Sequence, residues 1–155
     1  MEGEYSDDSG VITRSLRSDD CARLVAIDEQ ITGRSRRQWY EGLLARALKD
    51  CDVRVSLGAE VDGLLVGAML AEVHYGEFGL PEPLAVLDTV LLDPAFAGRG
   101  IARGMFEELM RNLRALRIER VRTEVAWDDH ELVAFFARMG LRPVPRLVLE
   151  ADLST

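Results

Sequence analysis

The chain of 155 residues contains few cysteines, no long hydrophobic run and no excess of positive charge. Its two cysteines, Cys21 and Cys51, lack the close spacing of a metal knuckle or redox pair, so we expect both to be reduced and structural and no metal to be bound. The longest apolar runs, such as residues 64–71, are far shorter than a bilayer span, and the N-terminus is acidic where a secretory signal would be basic. We therefore expect a cytoplasmic protein with no membrane partner.

The charge balance is acidic, with 27 Asp and Glu against 19 Lys and Arg and a formal net charge of -8. The mean field of such a protein repels polyphosphate backbones, so nucleic acid is not an expected partner. Hydrophobic residues make up 48% of the chain and charged residues 30%, which is an ordinary globular balance. We expect residues 1–10 to be a flexible acidic leader and residues 11–155 to form a single domain.

The hydrophobic periodicity predicts strands and helices that together form a mixed sheet flanked by helices, an α/β (α+β) fold. Strands are expected at residues 11–16, 53–61, 64–73, 84–92, 121–126 and 144–149. Helices are expected after Ser18, Ser35, Gly100 and Asp128, and Gly140 is expected to close the last of them. The dipeptide Asp62-Gly63 predicts a tight hairpin turn between the second and third strands.

A glycine-containing turn joins the most apolar strand, residues 84–92, directly to a helix. We call this turn, Ala97-Gly98-Arg99-Gly100-Ile101-Ala102, the glycine loop. Successive amides in such a turn point at one spot, the helix N-terminus adds partial positive charge, and glycine permits close approach. The turn therefore favours an anionic group such as a phosphate, although two glycines also suit any tight turn. Neither the Walker motif nor the dinucleotide fingerprint is completed.

The glycine loop resembles the cofactor loop of the GNAT acetyltransferase superfamily, Gln/Arg-x-x-Gly-x-Gly/Ala, and departs from it only at Ala97. A second motif, Phe135-Phe136-Ala137-Arg138-Met139-Gly140-Leu141, is similar to the Leu-Tyr-x-x-x-Gly-Phe helix of that family. The resemblance extends from Val11 to about Asp152. It implies the GNAT fold, a mixed and mostly antiparallel sheet flanked by helices with one splayed strand pair.

The resemblance further implies that the protein binds acetyl-CoA and transfers its acetyl group to a primary amine of a small molecule or peptide. The backbone of Val90, Leu91 and Leu92 would bond the pantetheine arm. Residues implied to hold the rest of the cofactor are Gly98, Arg99, Gly100, Ile101, Ala102 and Arg103, which would bind the pyrophosphate, together with Asp129 and Phe136. A homodimer would suit a family of this size.

Two carboxylates are candidates for the general base that such a transfer needs. Glu124 lies in Thr123-Glu124-Val125-Ala126-Trp127-Asp128-Asp129, which is similar to a stretch of ribosomal-protein alanine acetyltransferases in which a strand Glu is the base. Asp88 lies on the apolar central strand, where burial would raise its pKa. The structural alternatives are a solvated edge carboxylate for Glu124 and a carboxylate satisfied by backbone donors or an arginine for Asp88.

The acceptor side is the least defined part of the predicted site. Arg34, Arg36 and Arg37 lie between the first two helices, in the region that covers the acceptor in this family, and would bind an acceptor carboxylate or a cofactor phosphate. Glu72 and His74 close a hairpin strand and would line the acceptor side. Each of these residues also has a solvated alternative. Phe136 stands where the family commonly has the tyrosine that protonates the thiolate, so water or Tyr75 would replace it. The alternative function is a catalytically degenerate domain that binds acyl-CoA as a sensor or interaction module.

Overall fold

The computed structural model describes residues 5–6, 10–49 and 54–154. The chain divides into two compact units, Met1–Glu124 and Val125–Thr155, which are described separately. Cys51 lies outside the described residues. Cys21 is a half-buried free thiol whose pKa is raised, chiefly by burial. Within the described ranges, no helix is long and apolar enough to cross a bilayer.

A six-stranded sheet organises the first unit, and its spatial order follows the chain. The strands are β1 (Tyr5–Ser6), β2 (Val11–Arg14), β3 (Arg54–Val61), β4 (Leu64–His74), β5 (Leu84–Leu92) and β6 (Arg120–Thr123). Neighbouring strands pair antiparallel except β5 and β6, which are parallel and joined through a crossover helix. This is the mixed, mostly antiparallel sheet that the sequence predicts.

Three helices accompany the sheet in the first unit, α1 (Cys21–Thr32), α2 (Arg37–Lys49) and α3 (Ile101–Ala115). The first two pack on one face, where they bury Leu24, Ile27, Tyr40, Leu43, Leu65, Ala68, Leu70 and Leu91. The opposite face carries α3, and a Cβ at Gly67 would lie 2.8 Å from Met105 Cε. Burial of each large apolar side chain contributes about 2 kcal/mol, which fixes the helices on the sheet.

Two local irregularities shape the centre of the sheet. The β3–β4 hairpin turns through Asp62 and Gly63, whose φ angles of 50° and 79° confirm the predicted tight turn. In β5, the register passes from Leu70 opposite Thr89 to Ala71 opposite Leu87. Asp88 is therefore the extra residue of β5 in this register, as in a β-bulge.

The second unit contains one helix, α4 (His130–Arg138), and an extended C-terminal segment. Asp129 rather than Asp128 is the N-cap, since its carboxylate accepts the Leu132 N–H at 3.1 Å. Gly140, with φ of 90°, follows the helix as predicted. The strand predicted at residues 144–149 is wrong, because these residues are exposed and form no ladder in the described chain. Pro143 and Pro145 lack the N–H groups that a ladder requires.

Two further boundaries differ from the sequence prediction. Tyr5–Ser6, inside the predicted leader, forms β1 and pairs with Thr13 and Ile12 of β2, so backbone pairing outweighs the absence of an apolar pattern there. The strand predicted at residues 121–126 is displaced, because β6 spans Arg120–Thr123 and its pairing with β5 stops at Thr123.

Candidate active site

The glycine loop follows β5 through one turn of 3-10 helix, Pro94–Phe96. Asp93 caps this turn, because its Oδ1 accepts the Ala95 N–H at 2.9 Å. Gly98 and Gly100 then both adopt φ of 77°, in the left-handed region that side chains rarely adopt. The sequence thus folds here as predicted, from a buried strand through a glycine turn into a helix.

The start of α3 presents backbone donors that the helix itself does not use. Its first backbone bond runs from the Gly104 N–H to the Gly100 carbonyl at 2.9 Å, so the amides of Ile101, Ala102 and Arg103 precede helical bonding. A Cβ placed on Gly98 or Gly100 would meet nothing within 4 Å, which leaves the backbone open to approach. Open amides at a helix N-terminus are the arrangement that binds phosphate groups.

The arginine side chains of the loop region lie on the surface. Arg99 stacks over the Phe96 ring, with its Cζ 4.9 Å from the ring centroid. Arg103 Nε donates to Glu107 at 2.8 Å in an exposed pair. The backbone is therefore the principal source of oriented donors in this loop, and the two guanidinium groups add positive charge at its rim.

Strands β5 and β6 diverge where the sheet reaches the loop. Their pairing ends at Leu87 and Thr123, and Thr123 Oγ1 donates to the Leu87 carbonyl at 2.8 Å. Strand β5 continues to Leu92 while paired on its other side with β4. Among the described residues, the ladder with β6 therefore stops at Leu87, before β5 ends at Leu92, and this is where the GNAT resemblance implies a splayed strand pair. Val90, Leu91 and Leu92 all lie on this part of β5, beyond its ladder with β6.

Both candidate bases lie at the point of divergence. Asp88 and Glu124 come directly after Leu87 and Thr123, which form the last pair of the β5–β6 ladder. Both are exposed. Thr89 Oγ1 donates to Asp88 Oδ1 at 2.9 Å. The expectation that Asp88 is buried is wrong, because its position as the extra residue of the bulge carries it out of the apolar alternation of β5.

Glu72 and His74 lie at the far end of β4, and both are half-buried. Glu72 is opposite Arg54 on β3 and opposite Val86 on β5. Side chains alternate along a strand, so Glu72 and His74 share the sheet face of Ala68 and Leu70, on which α1 and α2 pack. The predicted acceptor residues of β4 are thus on the same face as the two helices that carry Arg34 and Arg36 between them.

Arg36 is engaged within the helical pair. Its Nε donates to Asp28 Oδ2 at 2.8 Å, its Nη2 donates to Asp28 Oδ1, and its guanidinium lies over the Trp39 ring at 5.1 Å. The hydrogen bonds from Arg36 hold the pKa of Asp28, which is only 1% exposed, below its usual value. Burial raises the pKa of Tyr40, which also contacts this carboxylate. Arg34 is exposed, and its backbone N–H donates to Thr32 Oγ1 at 3.3 Å.

The two predicted cofactor residues of the second unit have structural roles within α4. Asp129 caps the helix, as described above. Phe136 is 4% exposed, and its ring contacts that of Phe135 with centroids 5.3 Å apart. Tyr75, the alternative proton donor, belongs to the first unit and is 68% exposed.

Comparison with known sequences and structures decides the family. The sequence model of the Acetyltransferase (GNAT) family matches residues 17–141, which include both predicted motifs. The chain belongs to the GNAT family of acetyltransferases. A search of curated proteins finds no match for this GNAT chain.

Solved structures similar to this GNAT chain confirm its fold. A transcriptional regulator from Bacillus halodurans C-125 is 14% identical with a TM-score of 0.80, covering 92% of this chain and 99% of its own. The aminoglycoside N-acetyltransferase AAC(6')-Iy, solved with CoA, is 14% identical with a TM-score of 0.78. The match covers 98% of this chain and 97% of that enzyme's chain. A ribosomal-protein-alanine N-acetyltransferase from Brucella melitensis biovar Abortus 2308 is 16% identical with a TM-score of 0.75. The match covers 92% of this chain and 99% of the Brucella chain.

One pair of residues near the glycine loop of this GNAT protein was not found from the sequence. Arg23 of α1 donates from Nη2 to Asp93 Oδ2 at 2.5 Å and from Nε to the Leu65 carbonyl at 2.7 Å. The Asp-Pro bend marks Asp93 as the start of a turn, but no local signal links it to a residue 70 positions away. Within the described residues, no cluster of three or more His, Cys, Asp or Glu side chains could hold a metal ion.

Proposed function

We propose that this GNAT protein is an acetyl-CoA-dependent N-acetyltransferase that moves the acetyl group to a primary amine by direct attack. The observation that carries the proposal is the glycine loop at the end of a strand whose edge is open beyond Leu87. Family membership supports the reaction class. The chain of AAC(6')-Iy that has nearly the same length was solved with CoA, which supports CoA as the carrier.

The described residues fit the two polar parts of acetyl-CoA. The amides of residues 98–103 hold the pyrophosphate, because they precede helical bonding and no side chain covers Gly98 or Gly100. The backbone of Val90 to Leu92 bonds the pantetheine amides as an added strand would, since β6 leaves this edge of β5 unpaired. The thioester then lies near the divergence of β5 and β6.

The transfer forms a C–N bond, breaks the C–S bond of the thioester and releases CoA as a thiolate. The attacking amine must lose a proton, and Glu124 accepts it, directly or through a water molecule. Its neighbour Asp88 is the second candidate for this role. Phe136 has no proton to give, so the thiolate takes its proton from water or from Tyr75, which is exposed.

The acceptor is a primary amine of a small molecule or a peptide in the cytoplasm. The net charge of -8 favours a cationic amine, whereas Arg34 favours one that also bears a carboxylate. A panel of acceptors therefore needs polyamines and aminoglycosides beside amino acids and peptides. Release of free CoA measures turnover with each.

A second candidate function is a CoA-binding module without turnover, which is favoured by the buried hydrocarbon ring of Phe136 at the position of the family's usual tyrosine. Thermal stabilisation by acetyl-CoA with no CoA release from any amine would favour this module over the enzyme. Equal stabilisation by CoA, ATP and NAD would contradict both functions, because the glycine loop would then be a general phosphate site.

Replacement of Glu124 tests the chemistry separately from binding. We expect Glu124→Gln to lower kcat about a hundredfold, because a general base contributes about that factor or more, and to leave the Kd for CoA unchanged. Glu119→Gln is the matched control, since Glu119 is an exposed carboxylate at the opposite end of β6. Full activity of Glu124→Gln at every pH, together with loss of activity in Asp88→Asn, would transfer the role of base to Asp88.

A further inference from the structure

The glycine loop begins at a buried carboxylate that is held from a distant helix. Asp93 is 5% exposed, and both of its carboxylate oxygens are used. Oδ1 accepts the Ala95 N–H at 2.9 Å and so caps the turn that leads into the loop, while Oδ2 accepts from Arg23 Nη2 at 2.5 Å. The Asp93 backbone is also fixed, since its N–H donates to the Val66 carbonyl at 2.7 Å and its carbonyl accepts the Phe96 N–H at 2.9 Å.

Arg23 anchors this carboxylate to two other parts of the first unit. It belongs to α1, and its Nε donates to the Leu65 carbonyl of β4 at 2.7 Å, next to the Val66 carbonyl that binds Asp93. The planar guanidinium thus joins α1, β4 and the end of β5 through donors with fixed relative directions. Its side chain is 27% exposed, and that of Asp93 is 8% exposed.

We propose that Arg23 is a positioning residue for acetyl-CoA binding, which it serves by holding Asp93 and, through Asp93, the amides of the glycine loop. This role rests on the proposed function. Without Arg23, one oxygen of a buried carboxylate has lost its charged donor, and a buried acceptor without a partner is costly. The carboxylate then rotates, the cap on Ala95 weakens, and the amides of residues 98–103 lose their alignment. Oriented donors bind well only when held within about 0.5 Å of the productive geometry.

A role of Arg23 in positioning the loop has different consequences from a role in the stability of the fold or in the acetyl transfer itself. Loss of alignment weakens the ground-state binding of CoA, so the KM for acetyl-CoA rises while kcat at saturating acetyl-CoA stays near the wild-type value. A purely structural ion pair would lower the melting temperature and leave both the Kd for CoA and this KM unchanged. Arg14 offers a matched comparison, because it donates to Asp20 at 2.8 and 2.9 Å in a pair that holds no residue of the loop.

The test measures the Kd for CoA by calorimetric titration, below the melting temperature of every variant. We expect Arg23→Met to weaken CoA binding about tenfold, equivalent to about 1.4 kcal/mol, and Arg23→Lys to lie between it and the wild type. Arg14→Met should lower the melting temperature with a change in Kd of less than about twofold. Adding Asp93→Asn to Arg23→Met should weaken binding little further, since both changes remove the same contact.

Three results would overturn the role of Arg23. They are wild-type affinity in folded Arg23→Met, an equal loss of affinity in Arg14→Met, and full additivity with Asp93→Asn. If Arg23→Met does not fold, the Kd for CoA of Arg23→Lys tests the role, because lysine keeps the charge but loses the two-nitrogen geometry. Wild-type affinity in Arg23→Lys would then overturn the role. Wild-type protein that does not bind CoA would overturn the proposed function together with this role, whereas binding that is indifferent to Arg23 would overturn this role alone.

Discussion

The glycine loop and the arginine cluster, which comprises Arg34, Arg36 and Arg37, are both predicted from the sequence to bind anions, and the structure treats them differently. At the loop, Gly98 and Gly100 are open, and the amides of the first turn of α3 lie outside the helix's own bonding. In the cluster, Arg36 donates to the buried carboxylate of Asp28 through two nitrogens. The loop keeps its donors available for a ligand, whereas one of the three guanidinium groups of the cluster is engaged by a carboxylate of the protein itself.

The difference follows from where the donors reside. Backbone amides are directed by local φ and ψ angles, which glycines and a helix start determine within a few residues. A guanidinium lies on a long flexible side chain and pairs with whichever carboxylate the tertiary structure brings near. Asp28 is only eight residues before Arg36, yet the sequence alone does not show that the intervening turn at Gly33 directs them together.

The largest effect that would test this comparison is expected at the loop. A Cβ at Gly98 is strained at a φ of 77° and would occupy space that is open in the loop, where it would hinder the approach of a phosphate group. Left-handed backbone costs a non-glycine residue about 1–2 kcal/mol, and together with the lost approach we expect Gly98→Ala to weaken CoA binding about thirtyfold. Calorimetric titration with CoA measures the change.

Gly63→Ala is the control for Gly98→Ala. Gly63 has a φ of 79° and an equally open Cβ position, but it belongs to the β3–β4 turn. Both variants should lose similar stability, while only Gly98→Ala loses affinity for CoA. Equal affinities in the two variants would mean that the loop does not hold the pyrophosphate.

The same distinction explains how much of the molecule the sequence predicts. The bounds of β5 and the hairpin turn at Asp62 and Gly63 follow from apolar runs and turn chemistry within a few neighbours. The end of β6, the bulge that exposes Asp88 and the pair of Arg23 with Asp93 depend on register and on residues far apart in the chain. Local sequence thus predicts elements and the loop, and it does not predict which charged groups the packing brings together.

The ion pair of Arg36 and Asp28 should contribute to stability rather than to acceptor binding. We expect Arg36→Met to lower the free energy of unfolding by about 1.5 kcal/mol at pH 7, because Asp28 then remains buried without its charged donor and the exposed guanidinium limits the effect. Arg36 holds the pKa of Asp28 low, so the stabilisation is present above the carboxylate's unfolded pKa of about 3.9. It disappears as the pH falls through the lower folded value.

Denaturant unfolding from pH 7 down to pH 3 measures this dependence. The difference in the free energy of unfolding between wild type and Arg36→Met should be largest near neutral pH and should become smaller below about pH 4. Arg34→Met serves as the comparison and should lower the free energy of unfolding much less, because Arg34 lowers the pKa of Asp28 only through its charge and without a hydrogen bond. A difference in the free energy of unfolding that stays constant with pH would mean that the stability is lost with the packing of Arg36 over Trp39, and not with the ion pair to Asp28.

The smallest effect is expected at Arg34, an exposed member of the cluster that is close in sequence to the ion pair of Arg36 and Asp28. Arg34 is outside the ion pair that engages Arg36, and an exposed charge of this kind contributes less than about 1 kcal/mol to binding. We therefore expect Arg34→Ala to raise the KM of a carboxylate-bearing amine about threefold, with kcat and the KM for acetyl-CoA unchanged. Arg114→Ala, which removes one exposed charge from the end of α3, controls for the change in net charge. An equal rise in KM for an amine that lacks a carboxylate would show that Arg34 acts through the general field of the protein and not by pairing with the acceptor.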